Sequence, residues 1–96
     1  MVELHAVYRQ DPLIVSRNIA GEMILVPIRH NVGDLESIYT LNETAARIWE
    51  LLDGEHTLDA VRDAIVAEFE VEVGEAEADM LDLIAQLESI GAVRAE

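Results

Sequence analysis

The chain offers few groups that could do chemistry. It has three histidines, twenty carboxylates, three serines and no cysteine. Without a thiol there is no cysteine nucleophile, thiolate metal site or disulfide. A metal site would then need imidazoles and carboxylates about one helical turn apart, so that the ligands share a face. His5 falls in the N-terminal tail, His30 in a loop and His56 in a turn between helices. None lies on an expected helix beside another histidine or a carboxylate at metal spacing, so all three read as solvent-exposed turn residues. Glu68, Glu70, Glu72, Glu75, Glu77 and Asp79 crowd one region. They do not match a calcium loop, which sets oxygen ligands at alternating positions around a central glycine. A solvated acidic surface is the plainer reading. Ser16, Ser37 and Ser89 lack a nucleophile elbow, and the glycines are scattered singly rather than gathered into a phosphate cradle. No catalytic residue, metal or cofactor is expected.

Charge narrows the partners. Six arginines, no lysine and twenty acids give 6 − 20 = −14. Residues 1–40 carry three arginines against five acids, and residues 41–96 carry three against fifteen. Phosphate backbones are bound by neutralising them with Lys and Arg, which are scarce here, so nucleic acid is not expected. A basic peptide or an arginine-rich surface is electrostatically easier. No apolar run approaches the roughly 20 residues that span a bilayer. The N-terminus lacks the basic start and apolar middle of a signal peptide. A cytoplasmic protein without a membrane partner is the default.

The elements that would position a site follow from periodicity. Ninety-six residues make one domain. Residues 1–11 read as an N-terminal extension without sustained period, and residues 12–94 as the domain. Asp11-Pro12 marks the opening turn. Leu13 to Ile19 alternates as a strand, and after the turn Ala20-Gly21-Glu22 the apolar run Met23 to Ile28 follows as a second, so the two suggest a hairpin. Pro27 cannot donate to a ladder and belongs at an edge or bulge. A third strand runs from Leu35 to Leu41. Asn42 caps a helix whose buried stripe is Ala45, Ile48, Trp49 and Leu52, with Gly54 as its stop. Thr57 caps a second helix with Leu58, Val61, Ile65 and Phe69 buried. A third helix spans Glu75 to Ile90, with Gly91 closing it and Ala92-Val93-Arg94 briefly extended. The fold class is α+β: a three-stranded antiparallel sheet followed by three helices. One side of the third strand is left open, and an open edge is a template for another strand.

Three consecutive helices also suggest a winged helix-turn-helix. A base-reading helix carries Arg, Lys, Asn or Gln on its exposed face. The second helix exposes Asp63 and Glu68 beside Arg62, and the third exposes Glu75, Asp82 and Glu88 beside Gln86. Such faces do not suit DNA.

The stretch Tyr39-Thr40-Leu41-Asn42-Glu43-Thr44-Ala45-Ala46-Arg47-Ile48-Trp49-Glu50-Leu51-Leu52-Asp53-Gly54 resembles the PqqD family. The similarity continues through Thr57, Val61, Ile65, Glu77, Ala78, Asp79, Leu83, Leu87 and Gly91, over roughly residues 12–94. That family is named for pyrroloquinoline quinone biosynthesis. The resemblance implies a winged-helix domain without catalysis of its own. It would capture the leader segment of a ribosomally made precursor peptide and present it to a modifying enzyme, commonly a radical S-adenosylmethionine enzyme. The leader would add as a strand to the third strand, in a groove completed by the third helix. Carried onto this chain, the edge is Glu36, Ser37, Ile38, Tyr39 and Thr40. The opposing wall is Met80, Leu83, Gln86, Leu87 and Ile90. The acidic third helix suggests a leader with basic residues. Fold alone does not assign the chain to the quinone pathway. Met80, Ile84 and Leu87 also suit the core, and Trp49 and Leu41 are assigned to it. The competing reading is a structural adaptor or homodimerising subunit that pairs through the same free edge; the chain itself is expected to be a monomer or weak homodimer. A winged-helix nucleic-acid binder comes last.

Overall fold

The computed structural model describes residues 3–27 and 39–96. The elements run β1 (Val7–Gln10), β2 (Ile14–Ile19), β3 (Glu22–Pro27), β4 (Tyr39–Leu41), α1 (Glu43–Leu51), β5 (Asp53–Thr57), α2 (Leu58–Phe69), α3 (Val73–Ser89) and β6 (Val93–Ala95). The architecture is α+β, with three helices against small antiparallel sheets.

The hairpin and third strand read from the sequence form one sheet, ordered β2-β3-β4. Ala20 and Gly21 both take positive φ, 53° and 85°, which matches the twist a two-residue hairpin turn requires. β2 and β3 pair from Ile14↔Pro27 to Ile19↔Glu22, so Pro27 sits at the strand's end where its missing amide matters least. β4 pairs with β3 through Met23↔Leu41 and Leu25↔Tyr39. These four side chains share the face turned to the core, and Leu25 and Leu41 are buried there. Thr40 points the other way and is exposed. The expected strand began at Leu35; residues 35–38 lie outside the described residues.

A second sheet, ordered β5-β1-β6, has no counterpart in the periodic pattern. Its strands are short, and β5 reads Asp-Gly-Glu-His-Thr without one apolar residue. What places it is pairing: Val7↔Thr57 and Arg9↔Asp53 on one side of β1, Gln10↔Val93 on the other. Tyr8, inside the stretch 1–11 that the sequence set apart, is buried in the main core with Val93.

Helix ends follow the same physics with some changes of partner. Asn42 caps α1 as expected, its Oδ1 accepting from the Ala45 amide at 2.8 Å. α1 stops at Leu51 rather than at Gly54, and the Leu52 amide bonds the Ile48 and Trp49 carbonyls. Gly54 instead serves β5. Its φ is +85°, and a Cβ there would lie 3.1 Å from the Arg9 guanidinium. Thr57 holds the N-cap position of α2, but its hydroxyl bonds the Asp59 carboxylate instead of a helix amide. The first α2 amides, Leu58 and Asp59, donate to the Ala6 and Leu4 carbonyls at 3.0 and 2.9 Å. The N-terminal segment therefore satisfies groups that a helix end would otherwise leave unpaired. α3 begins at Val73, two residues earlier than Glu75.

The buried stripes meet in one core. Ile48, Trp49 and Leu52 face Leu58, Val61 and Ile65 of α2 and Met80, Ile84 and Leu87 of α3. Each such side chain contributes roughly 1.5–3 kcal/mol by leaving water. Arg47 reaches Glu68 at 2.9 Å and Arg62 reaches Glu77 at 3.0 Å, joining neighbouring helices on the surface.

Candidate functional site

The Leu41-Asn42 junction turns the chain from an edge strand into a helix, and α3 passes beside that corner. The three surfaces enclose a cleft of about 570 Å³. β4 supplies Tyr39, Thr40 and Leu41. The junction and first turns of α1 supply Asn42, Thr44, Ala45 and Ile48. α3 supplies Asp79, Asp82, Leu83 and Gln86. The α3 positions recur at three, four and seven residues from Asp79, the spacing that puts side chains on one helical face.

β4 is a sheet edge: β3 pairs with one side, and no described strand pairs with the other. Three-residue strands expose few free amides and carbonyls, but these point away from β3. β2, β5 and β6 are also edges among the described strands. Of the four, β4 alone lines the large cleft. A smaller hollow of about 280 Å³ lies at Arg9, Gln10, Leu52 and Asp53, on β1 and β5.

The cleft is apolar at its base and polar at its mouth. Leu41, Ile48 and Leu83 are buried. Asp79, Asp82 and Gln86 are exposed. A hydrogen-bond chain crosses it: the Tyr39 hydroxyl donates to Gln86 Oε1, and Gln86 Nε2 donates to Asp82 Oδ2 at 2.9 Å. Among the described lining residues there is no arginine or histidine.

The positions expected from the sequence divide into three groups. Tyr39, Thr40, Leu83 and Gln86 come together around the cleft. Met80 and Leu87 show no accessible surface and lie in the core beneath it, while Ile90 is 42% exposed at the end of α3 and is not a lining residue. Glu36, Ser37 and Ile38 lie outside the described residues. Sequence reasoning missed Asn42, Thr44, Ala45, Ile48, Asp79 and Asp82 as lining residues. The signal was there for α3, since Asp79 and Asp82 share the helical face of Leu83 and Gln86.

Elsewhere the titratable groups serve local structure. His56 Nδ1 lies 3.0 Å from the Asp53 carboxylate, and His5 Nδ1 lies 3.5 Å from Asp59. The His56 ring holds the Asp53 carboxyl below its ordinary range, helped by the Glu55 and His56 amides. Asp59 is lowered chiefly by the Thr57 hydroxyl. Burial pushes the Tyr8 phenol up, and the Glu88 carboxylate beside it adds to the effect. No group of three or more metal-capable side chains occurs among the described residues. Nor is any of their helices long and apolar enough to cross a membrane.

Comparison with known proteins adds three similarities. The family model for coenzyme PQQ synthesis protein D (PqqD) matches residues 22–93. A solved structure described as lasso peptide synthetase B1 complexed with the leader peptide shares 30% identity and a TM-score of 0.74. That match covers 91% of this chain and 96% of that one. A structure of TbiB1 in complex with the TbiA(beta) leader peptide shares 24% identity and the fold, with a TM-score of 0.73. It covers 90% of this chain and 94% of the other. A search of curated proteins finds no match.

Proposed function

This chain belongs to the PqqD family, and we propose that it binds the leader segment of a ribosomally made precursor peptide and presents it to a modifying enzyme. The observation that carries the proposal is the open side of β4 lying along a cleft walled by α3. An extended peptide can donate and accept backbone hydrogen bonds along that edge while alternate side chains enter the cleft. Tyr39 and Thr40 form the strand side of the site. Leu83 and Gln86 form the helix side, and Met80 and Leu87 support it from beneath. The 30% identical neighbour is described as complexed with a leader peptide, which supports the same use here.

The chain's role in this reading is recognition, acting in the cytoplasm and supplying no reacting group. The enzyme served is a radical S-adenosylmethionine maturase, as the family resemblance implies. Lasso peptide assembly is a second candidate, favoured by the neighbour described as a lasso peptide synthetase B1. The test is an NMR titration of the labelled protein with short peptides encoded beside its gene. The expected result is movement of the Tyr39, Thr40 and Leu41 amides together with the cleft-facing side of α3. If those amides stay fixed at about 100 µM peptide, where a micromolar complex is populated, the reading fails for that peptide. Self-pairing through β4 would instead give concentration-dependent shifts of the same amides without peptide.

A further inference from the structure

The edge and the cleft describe a strand-binding groove without saying what strand it prefers. Resting on that reading, we infer that the groove selects a cationic peptide, with an Arg or Lys side chain seated between Asp79 and Asp82 at the cleft mouth. Both carboxylates line the cleft, and they stand three residues apart on one face of α3. Among the described residues, Arg9 pairs with Glu96, Arg47 with Glu50 and Glu68, and Arg62 with Asp63 and Glu77, all away from the cleft mouth. Within α3 itself there is no cation, so the helix presents Glu75, Glu77, Asp79, Asp82 and Glu88 unrelieved by its own sequence. An apolar cleft wall beside these charges raises their effect on a docked cation, because less water screens the pair.

Gln86 makes the subsite directional. Its amide nitrogen holds Asp82 Oδ2 and its oxygen accepts from Tyr39, so the far Asp82 oxygen remains for an incoming donor. A guanidinium can bond that oxygen and Asp79 together, and an ammonium can do so as a point charge. An acidic strand would meet two like charges there and be rejected. The net charge of −14 acts further out, steering cationic peptides toward the domain.

The probe is a displayed library of random peptides of roughly a dozen residues, enough to follow an edge strand. It is selected in parallel on the native chain and on an Asp79→Asn/Asp82→Asn double variant; both positions are exposed and cap no helix end. Peptides selected on the native chain should carry Arg or Lys at one fixed offset from their apolar positions. The double variant should select the same apolar positions without that cation. A native-selected peptide should bind the variant about fivefold more weakly, the effect of one partly screened ion pair. Raising salt should shrink that difference. Enriched peptides that move the β4 amides but show no cation preference, or the same preference on the variant, overturn the cationic subsite and leave the groove standing. Failure to select any peptide that moves those amides removes both.

Discussion

Tyr8 tests whether the N-terminal segment is an appendage or part of the fold. It is 5% exposed, and its strand is the middle member of β5-β1-β6. Truncating a buried aromatic to alanine costs about 3–5 kcal/mol, the loss of buried area plus the cavity left behind. Removing residues 1–11 altogether takes more. It deletes β1, strands β5 and β6 without a partner, and takes the Ala6 and Leu4 carbonyls away from the α2 amides. Each abandoned amide adds about 1 kcal/mol or more. A domain of this length has roughly 5–14 kcal/mol of stability in total. The truncated chain should therefore be largely unfolded, and Tyr8→Ala folded but weakened. Trp49, the single tryptophan, is buried in the core and reports unfolding by fluorescence. With a urea slope of about 1.5 kcal/mol/M, Tyr8→Ala should lower the midpoint by roughly 2–3 M. A truncated chain that unfolds cooperatively at the native midpoint would refute the reasoning and restore residues 1–11 as an extension.

Gly54→Ala should cost about 1–2 kcal/mol, because φ is +85° and the new Cβ meets the Arg9 guanidinium; denaturation that is unchanged would contradict it. Tyr39→Phe removes one exposed hydrogen bond to Gln86, so its urea midpoint should move by less than the equivalent of about 1 kcal/mol. Acid should remove stability through Asp53. Its folded pKa lies below the unfolded value, so the unfolded chain binds more protons near pH 4. The contribution is complete above the ordinary carboxylate value and is lost as pH falls through the lowered one. Asp53→Asn should be less stable than the native chain at neutral pH and should converge with it in acid. Parallel stability curves for the two would show that the His56 contact does nothing for the fold.

The parts of the fold legible in the sequence are those driven by burial. The stripe Ile48, Trp49, Leu52 and the stripe Leu58, Val61, Ile65 set two helices and their packing, and Asn42 set where the first begins. The second sheet was not legible, because β5 has no apolar residue and β1 buries only Tyr8. Its strands exist through pairing between segments far apart in the chain, which no local period records. Gly54 illustrates the same limit: a glycine after a helical stripe reads as a stop, yet the close approach of Arg9 explains it better.

At the site, Tyr39, Thr40, Leu83 and Gln86 could be placed by resemblance, since a strand edge and a helix face were already in view. In the sequence Asp79 reads as part of a solvated acidic surface and Asp82 as an exposed position of the third helix. Only the cleft's position shows that they stand at its mouth rather than on an open acidic face.

The central claim is that a peptide strand adds to the open side of β4. It is tested most directly by isotope-edited NOEs in a complex with a selected peptide. The account predicts cross-strand contacts between the peptide backbone and Tyr39, Thr40 and Leu41, with side-chain contacts to Leu83. Backbone contacts confined to the β2, β5 or β6 edge, or a bound peptide with no strand-like contacts, would contradict it.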